Sequence, residues 1–166
     1  GLSDAQIQSG FNTFEGIRRR MEIRGEVNGV TVIDDFAHHP TAIRETLKAL
    51  GRRFPERRIW AIFEPRSNTT RRNHFQLELA EALRLAKRVV VAEVARLEQV
   101  PPEERLNPTQ LMAGIRAVGT EADYLPTANE IVAHVAPQTQ PGDILCVLSN
   151  GGFDNIHQKL LDALNA

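Results

Sequence analysis

The sequence predicts an α/β fold: a Rossmann-like, doubly wound, mostly parallel six-stranded sheet with one antiparallel edge strand from an N-terminal hairpin. Three observations carry that prediction. Ile59–Phe63, Val89–Val91 and Ile144–Leu148 are apolar throughout, the pattern of strands covered on both faces. From Pro40 to the C-terminus such runs alternate with stretches of helical period, which implies parallel strands joined by crossover helices. Before them, Asn28-Gly29 separates two strand-like runs, the strongest short hairpin signal.

Each element has a local cause. Ser3 is suited to N-cap a short helix ending near Gly10. Residues 20–27 and 30–35 form the arms of the hairpin. Pro40 opens a helix whose stripe is Ile43, Leu47 and Leu50, with Gly51 placed just past its end. Phe75, Leu79 and Leu83 mark the next helix, after the strand Ile59–Phe63. Asn107-Pro108 supplies an N-cap and a proline at the first helical position. A short strand is expected near Ala122–Leu125, and Thr127 with Glu130 fits a capping box. Pro141-Gly142 turns into the strand Ile144–Leu148, and the last helix aligns Ile156, Leu160 and Leu164.

Composition narrows the function. With 42% hydrophobic and 25% charged residues, the chain reads as one soluble globular domain spanning residues 1–166. The single cysteine, Cys146, lies in an apolar run; it excludes an internal disulfide and suits a reducing, cytoplasmic setting. No apolar run approaches the ~20 residues of a membrane span. A net charge of -1 argues against nucleic acid as a partner. Residues 1–88 hold 16 Lys/Arg against 11 Asp/Glu, and the remainder 4 against 10, so the first half is the one able to attract anions. The chain begins at Gly1 without a methionine, which suggests a piece of a longer protein.

In a parallel sheet the loops leaving the carboxyl ends of the strands share one edge, and ligands bind there. Four loops on that edge are rich in polar groups: Asp34–Pro40, Glu64–Arg72, Ala92–Glu98 and Ser149–Asp154. In the first, Asp35 and His38 are suited either to a ligand or to capping the next helix. His38 and His39 are adjacent and point apart in extended chain, so a shared metal is disfavoured and no metal site is assigned. Arg66 is able to grip a carboxylate with two parallel bonds or to pair with Glu64, and Asn68 both donates and accepts. Ser149-Asn150-Gly151-Gly152 precedes a helix N-terminus, where backbone N–H groups favour an anion. Arg18-Arg19-Arg20 precedes the first strand and is able to hold phosphate, but unaided it reads as a solvated basic patch. No phosphate loop, dinucleotide fingerprint or serine elbow is present in the sequence, so the edge favours anions without a complete phosphoryl-transfer apparatus.

Phe14-x-Gly16-Ile17-x-x-Arg20-Met21-Glu22, Asp35-Phe36-Ala37-His38-x-Pro40 and the final glycine-rich turn together resemble the C-terminal domain of the Mur ligases. These ATP-dependent enzymes form amide bonds in peptidoglycan precursors through an acyl phosphate. The resemblance runs from about residue 1 to the C-terminus. It implies that an N-terminal UDP-sugar domain and a central ATPase domain belong to the full-length protein and are absent from this chain, which alone is expected to be inactive. ATP and Mg2+ would be bound mainly by the missing central domain, with Arg20, Asp35 and His38 completing the ATP site. Asp34–Thr41 looks like the branch that uses UDP-N-acetylmuramate. Glu64–Thr69 and Ser149–Phe153 are similar to members that attach the recycled tripeptide L-Ala-γ-D-Glu-meso-diaminopimelate, and imply Arg66, Asn68, Glu93, Ser149, Asn150 and Gly151 as peptide contacts. L-alanine as the acceptor, and a non-catalytic binding module, are the alternatives. The pattern departs at Asp154-Asn155, where the family has small residues such as glycine.

Overall fold

The computed structural model describes residues 1–14 and 17–166; Gly16 of the motif lies outside the described residues. One sheet holds β1 (Glu22–Val27), β2 (Val30–Asp35), β3 (Ile59–Phe63), β4 (Arg88–Ala92), β5 (Glu121–Leu125) and β6 (Ile144–Leu148), in the order β1-β2-β6-β3-β4-β5. Only β1 runs antiparallel to its neighbour. Asn28 and Gly29 take φ of 51° and 76°, the left-handed pair that lets a two-residue turn match strand twist.

The helices are α1 (Asp4–Asn12), α2 (Pro40–Arg53), α3 (Gln76–Leu83), α4 (Pro108–Arg116), α5 (Ala128–Val135) and α6 (Ile156–Asn165). Period-2 alternation splits the strands between two cores. Ile33, Ala61, Phe63, Cys146 and Leu148 pack with α2, α3 and α4, while Val32, Trp60, Ile62, Leu145 and Val147 pack with α5 and α6. The alternation along β3 and β6 is of apolar with apolar, so a sequence uniformly apolar there is buried on both faces.

Some boundaries differ from expectation. α2 runs through Gly51 to Arg53 and is capped at Phe54, because the Leu50 carbonyl is taken by the Phe54 N–H and the helix needs no left-handed stop. Phe75 sits in a 3-10 turn ahead of α3 rather than in it. The capping box at α5 is half formed. Thr127 Oγ1 accepts the Glu130 N–H at 3.2 Å, but the Glu130 carboxylate takes the Thr127 hydroxyl instead of its backbone N–H. The helix α1 extends to Asn12 and buries none of its residues.

The amino-terminal edge is locked by a buried carboxylate. Asp143, 2% exposed, accepts from Arg58 Nε at 2.9 Å and Nη2 at 2.6 Å, from Trp60 Nε1 at 3.1 Å and from the Gln140 N–H at 3.0 Å. Burial pushes its pKa up, but these bonds together outweigh it and leave the carboxyl below its ordinary value. Nearby, Arg57 pins the β1–β2 turn to the turn before β6 through Gly29, Thr31 and Gly142. The ligand edge, at the other end of the strands, is therefore free to be shaped by its loops.

Candidate functional site

The topology leaves a crevice between β3 and β6. β3 leads into α3 on one face, and β6, its neighbour, leads into α6 on the other. Loops that part to opposite faces leave a gap at the carboxyl ends, the switch point where open α/β sheets bind ligands.

Glu64 leaves β3 and Ser149 leaves β6, and the two meet. Ser149 Oγ donates to Glu64 Oε2 at 2.5 Å and accepts the Gly151 N–H at 2.9 Å. Ser149 is fully buried, so its hydroxyl shapes the turn from inside rather than presenting itself to a ligand. Arg66 Nη1 lies 3.6 Å from Glu64 Oε1, and its side chain crosses directly over Gly151. A Cβ at position 151 would displace that arginine from the turn. The Asn150 Oδ1 atom is buried and has no hydrogen-bond partner among the described residues, an unspent acceptor beside the same turn.

Glu64 also opens onto a cleft of about 510 Å3 lined by Glu93, Arg96, Thr127, Phe153 and Asp154, among others. Glu93 is exposed there. The Val94 N–H donates to the Tyr124 hydroxyl at 3.2 Å and holds the loop after β4. Asn68 is turned away into its own loop, where Oδ1 accepts from Arg71 Nη2. Thus Arg66, Ser149, Asn150 and Gly151 come together, Glu93 lies in the adjoining cleft, and Asn68 does not join them.

The corner after β2 forms a second part of the edge. Asp35, 3% exposed, accepts the Met21 N–H and the Ala37 N–H, both at 2.8 Å, and the Thr46 hydroxyl at 3.4 Å. His38 Nδ1 lies 2.9 Å from the Phe36 carbonyl; since a carbonyl only accepts, Nδ1 carries the proton and Nε2 is left as an acceptor. His39 caps α2, with Nδ1 accepting the Thr41 N–H at 3.4 Å, and packs edge-on against Phe75. Arg20 is exposed, its guanidinium 5.5 Å from the Phe36 ring centre.

Arg18 and Arg20 are exposed, as in a solvated patch, but Arg19 departs from that reading. Its guanidinium bonds Asp34, the Ser149 carbonyl and the Gly151 carbonyl. No spacing signal in the sequence marks it, because its partners lie 15 and 130 or more positions away. A bulge in β1 between Ile23 and Gly25 brings Arg24 within 3.6 Å of the same Asp34.

Backbone strain concentrates on this edge. Arg19, Met21, Arg96, Phe153, Asp154 and Asn155 all have φ between 43° and 57°, at about 1–2 kcal/mol each for residues with a Cβ, less for Asn and Asp. The three consecutive left-handed residues before α6 explain the departure at Asp154-Asn155: positions suited to glycine are here held by a buried Phe153 and by the Asp154–Lys159 pair.

His157 lies behind the edge, 6% exposed, with Nε2 3.3 Å from Asp34 Oδ1. Burial lowers its pKa; Asp34 opposes that, and Arg24 and Arg19 add to it. A histidine whose folded pKa lies below its unfolded one supports the fold at higher pH. As pH drops through the unfolded value of about 6.5 the unfolded chain takes up the proton first, and that support is lost until the folded pKa is reached. Denaturant midpoints should therefore fall between about pH 7 and 5.5, and the fall should be shallower in His157→Gln. Equal slopes in both proteins would place the acid sensitivity elsewhere.

A family model described as "Mur ligase, glutamate ligase domain" matches residues 19–151. The UDP-N-acetylmuramate–L-alanyl-γ-D-glutamyl-meso-2,6-diaminoheptandioate ligase of Escherichia coli K12 is 41% identical over 99% of this chain and 34% of its own length. The UDP-N-acetylmuramate–L-alanine ligase of Salinibacter ruber is 36% identical over 98% of this chain and 34% of its own. The crystal structure of a murein peptide ligase from Psychrobacter arcticus superposes with a TM-score of 0.77 at 36% identity, covering 95% of this chain and 32% of that one. The chain spans about a third of the length of these relatives. With most of its length matched by the family model and nearly all of it by these relatives, the chain belongs to the Mur ligase family, as a Mur ligase C-terminal domain.

Proposed function

We propose that this chain is the acceptor-binding domain of an ATP-dependent ligase that joins L-Ala-γ-D-Glu-meso-diaminopimelate to UDP-N-acetylmuramate, in peptidoglycan recycling. On this reading it follows an N-terminal UDP-sugar domain and a central ATPase domain in the full-length protein, and has no turnover alone. The carrying observation is the junction of β3 and β6, where Arg66 lies over Gly151 beside Glu64, and Glu64 in turn lines a cleft of about 510 Å3. A cleft of that size falls in the range used by ligands of several hundred daltons, which suits a tripeptide better than one alanine. The tripeptide carries three carboxylates and ammonium groups. Arg66 supplies donors for the first, and Glu93, which lines the cleft, supplies an acceptor for the second.

The nucleotide side fits as well. Met21, Ala37, Ala42 and Ala49 line a groove of about 270 Å3 together with Arg20, Asp35, Glu45 and Thr46. On this reading Arg20 meets phosphate or ribose and His38 lies beside the nucleotide, while Asp35 holds the Met21 N–H next to Arg20. When bound, ATP supplies the phosphoryl group that activates a carboxylate toward an incoming amine, and Mg2+ is held mainly by the central domain.

In the full-length protein, Arg66→Ala is expected to raise the peptide KM about 10–100-fold with kcat within a few-fold, the loss of one or two charge-assisted bonds. An unchanged peptide KM would remove Arg66 from the acceptor site. A second reading, L-alanine as acceptor, is supported by the Salinibacter ruber relative; acceptor preference of the full-length protein separates the two.

A further inference from the structure

Resting on that reading, we propose that Arg19 is a positioning residue that sets the Ser149–Gly151 turn, and so ties the shape of the acceptor site to the segment carrying Arg20. Arg19 Nη2 donates to the Ser149 carbonyl at 2.6 Å and to the Gly151 carbonyl at 2.9 Å, and Nε donates to Asp34 Oδ2 at 3.2 Å. The two carbonyls flank Asn150, whose Oδ1 has no partner among the described residues. Gripping both carbonyls fixes the backbone on either side of Asn150, and with it the turn over which Arg66 lies.

The other end of Arg19 is equally constrained. Its carbonyl accepts the Phe36 N–H at 2.8 Å, its own N–H donates to Glu22 Oε2 at 2.7 Å, and its φ of 57° is left-handed. Its guanidinium lies 5.1 Å from the Phe36 ring centre. A residue held in a strained backbone by contacts on three elements is over-determined by its surroundings. Asp34, 2% exposed, anchors the guanidinium from below. A planar guanidinium spans Asp34 and both carbonyls at once. A lysine ammonium on a flexible stem is a point charge that satisfies the carboxylate without holding the two carbonyls.

That difference provides the test, made on the full-length ligase with tripeptide, UDP-N-acetylmuramate and ATP. Arg19→Ala should raise the tripeptide KM about tenfold, change kcat less than about threefold and leave the UDP-N-acetylmuramate KM unchanged. Free guanidinium ion, at concentrations that leave the wild type folded, should restore part of that KM. Arg19→Lys should keep the wild-type melting temperature yet show the raised tripeptide KM. A wild-type tripeptide KM in Arg19→Lys would reduce the residue to an ion pair and overturn the proposal, as would an unchanged KM, or a loss confined to kcat, in Arg19→Ala. Wild-type enzyme that turns over no tripeptide overturns the functional reading instead, and Arg19 is then judged by the same criteria on the KM of L-alanine.

Discussion

Asp35→Ala in the full-length protein should lower kcat/KM by about 100-fold or more while the chain still folds, because the carboxylate orders the ligand edge from within. Its two oxygens hold the Met21 and Ala37 N–H groups, one on the segment that carries Arg20 and the other on the turn into α2. Without the carboxylate those donors lack a partner, at about 1–3 kcal/mol each. Stability should fall by about 2–4 kcal/mol, since Met21 is only half-buried and water replaces part of its bond. The larger effect falls on activity, where displacement of a positioning element by about 1 Å costs on the order of 100-fold. Asp35→Asn should recover some stability but little activity, because its amide group faces a backbone donor. Steady-state kinetics with a parallel thermal melt check this, and near-normal turnover in Asp35→Ala would contradict the assigned role.

Asp143→Ala should lower stability by about 2–4 kcal/mol, with a lower denaturant midpoint and an unchanged slope. Removing one partner of a buried ion pair strands the other charge, at about 3–5 kcal/mol; Arg58 is 27% exposed, so water recovers part of that. The Trp60 N–H and the Gln140 N–H lose their acceptor in the same step. The site lies at the opposite end of the strands from the ligand edge, so activity per folded molecule should be retained. A midpoint within error of the wild type would show that the clamp is dispensable.

The sheet was legible because its cause is local. Asn28-Gly29 marks the antiparallel edge, and apolar strands alternating with helical stripes imply the parallel remainder, down to the short β5 at Glu121–Leu125. The four polar loops converge as parallel topology requires. What sequence does not show is how each polar side chain is used once the edge assembles. Ser149 reads as a ligand contact, yet its hydroxyl is consumed by Glu64 and the Gly151 N–H. Asn68 reads as a second donor, yet it turns to Arg71. Arg19 reads as one of three solvated arginines, yet it spans to a turn some 130 positions away. Hydrogen bonds between distant segments leave no period or spacing in a chain, whereas burial of strands and helices does.

The central claim is that this domain shapes an acceptor site for a tripeptide. Its most direct measurement is the ratio of kcat/KM for L-Ala-γ-D-Glu-meso-diaminopimelate to that for L-alanine, using the full-length protein with UDP-N-acetylmuramate and ATP. The geometry at Arg66, Gly151 and the cleft beyond Glu64 predicts a ratio above about 100, equivalent to roughly 2.7 kcal/mol of preferential transition-state binding. A ratio below one would assign the domain to the alanine-adding enzymes and contradict the account.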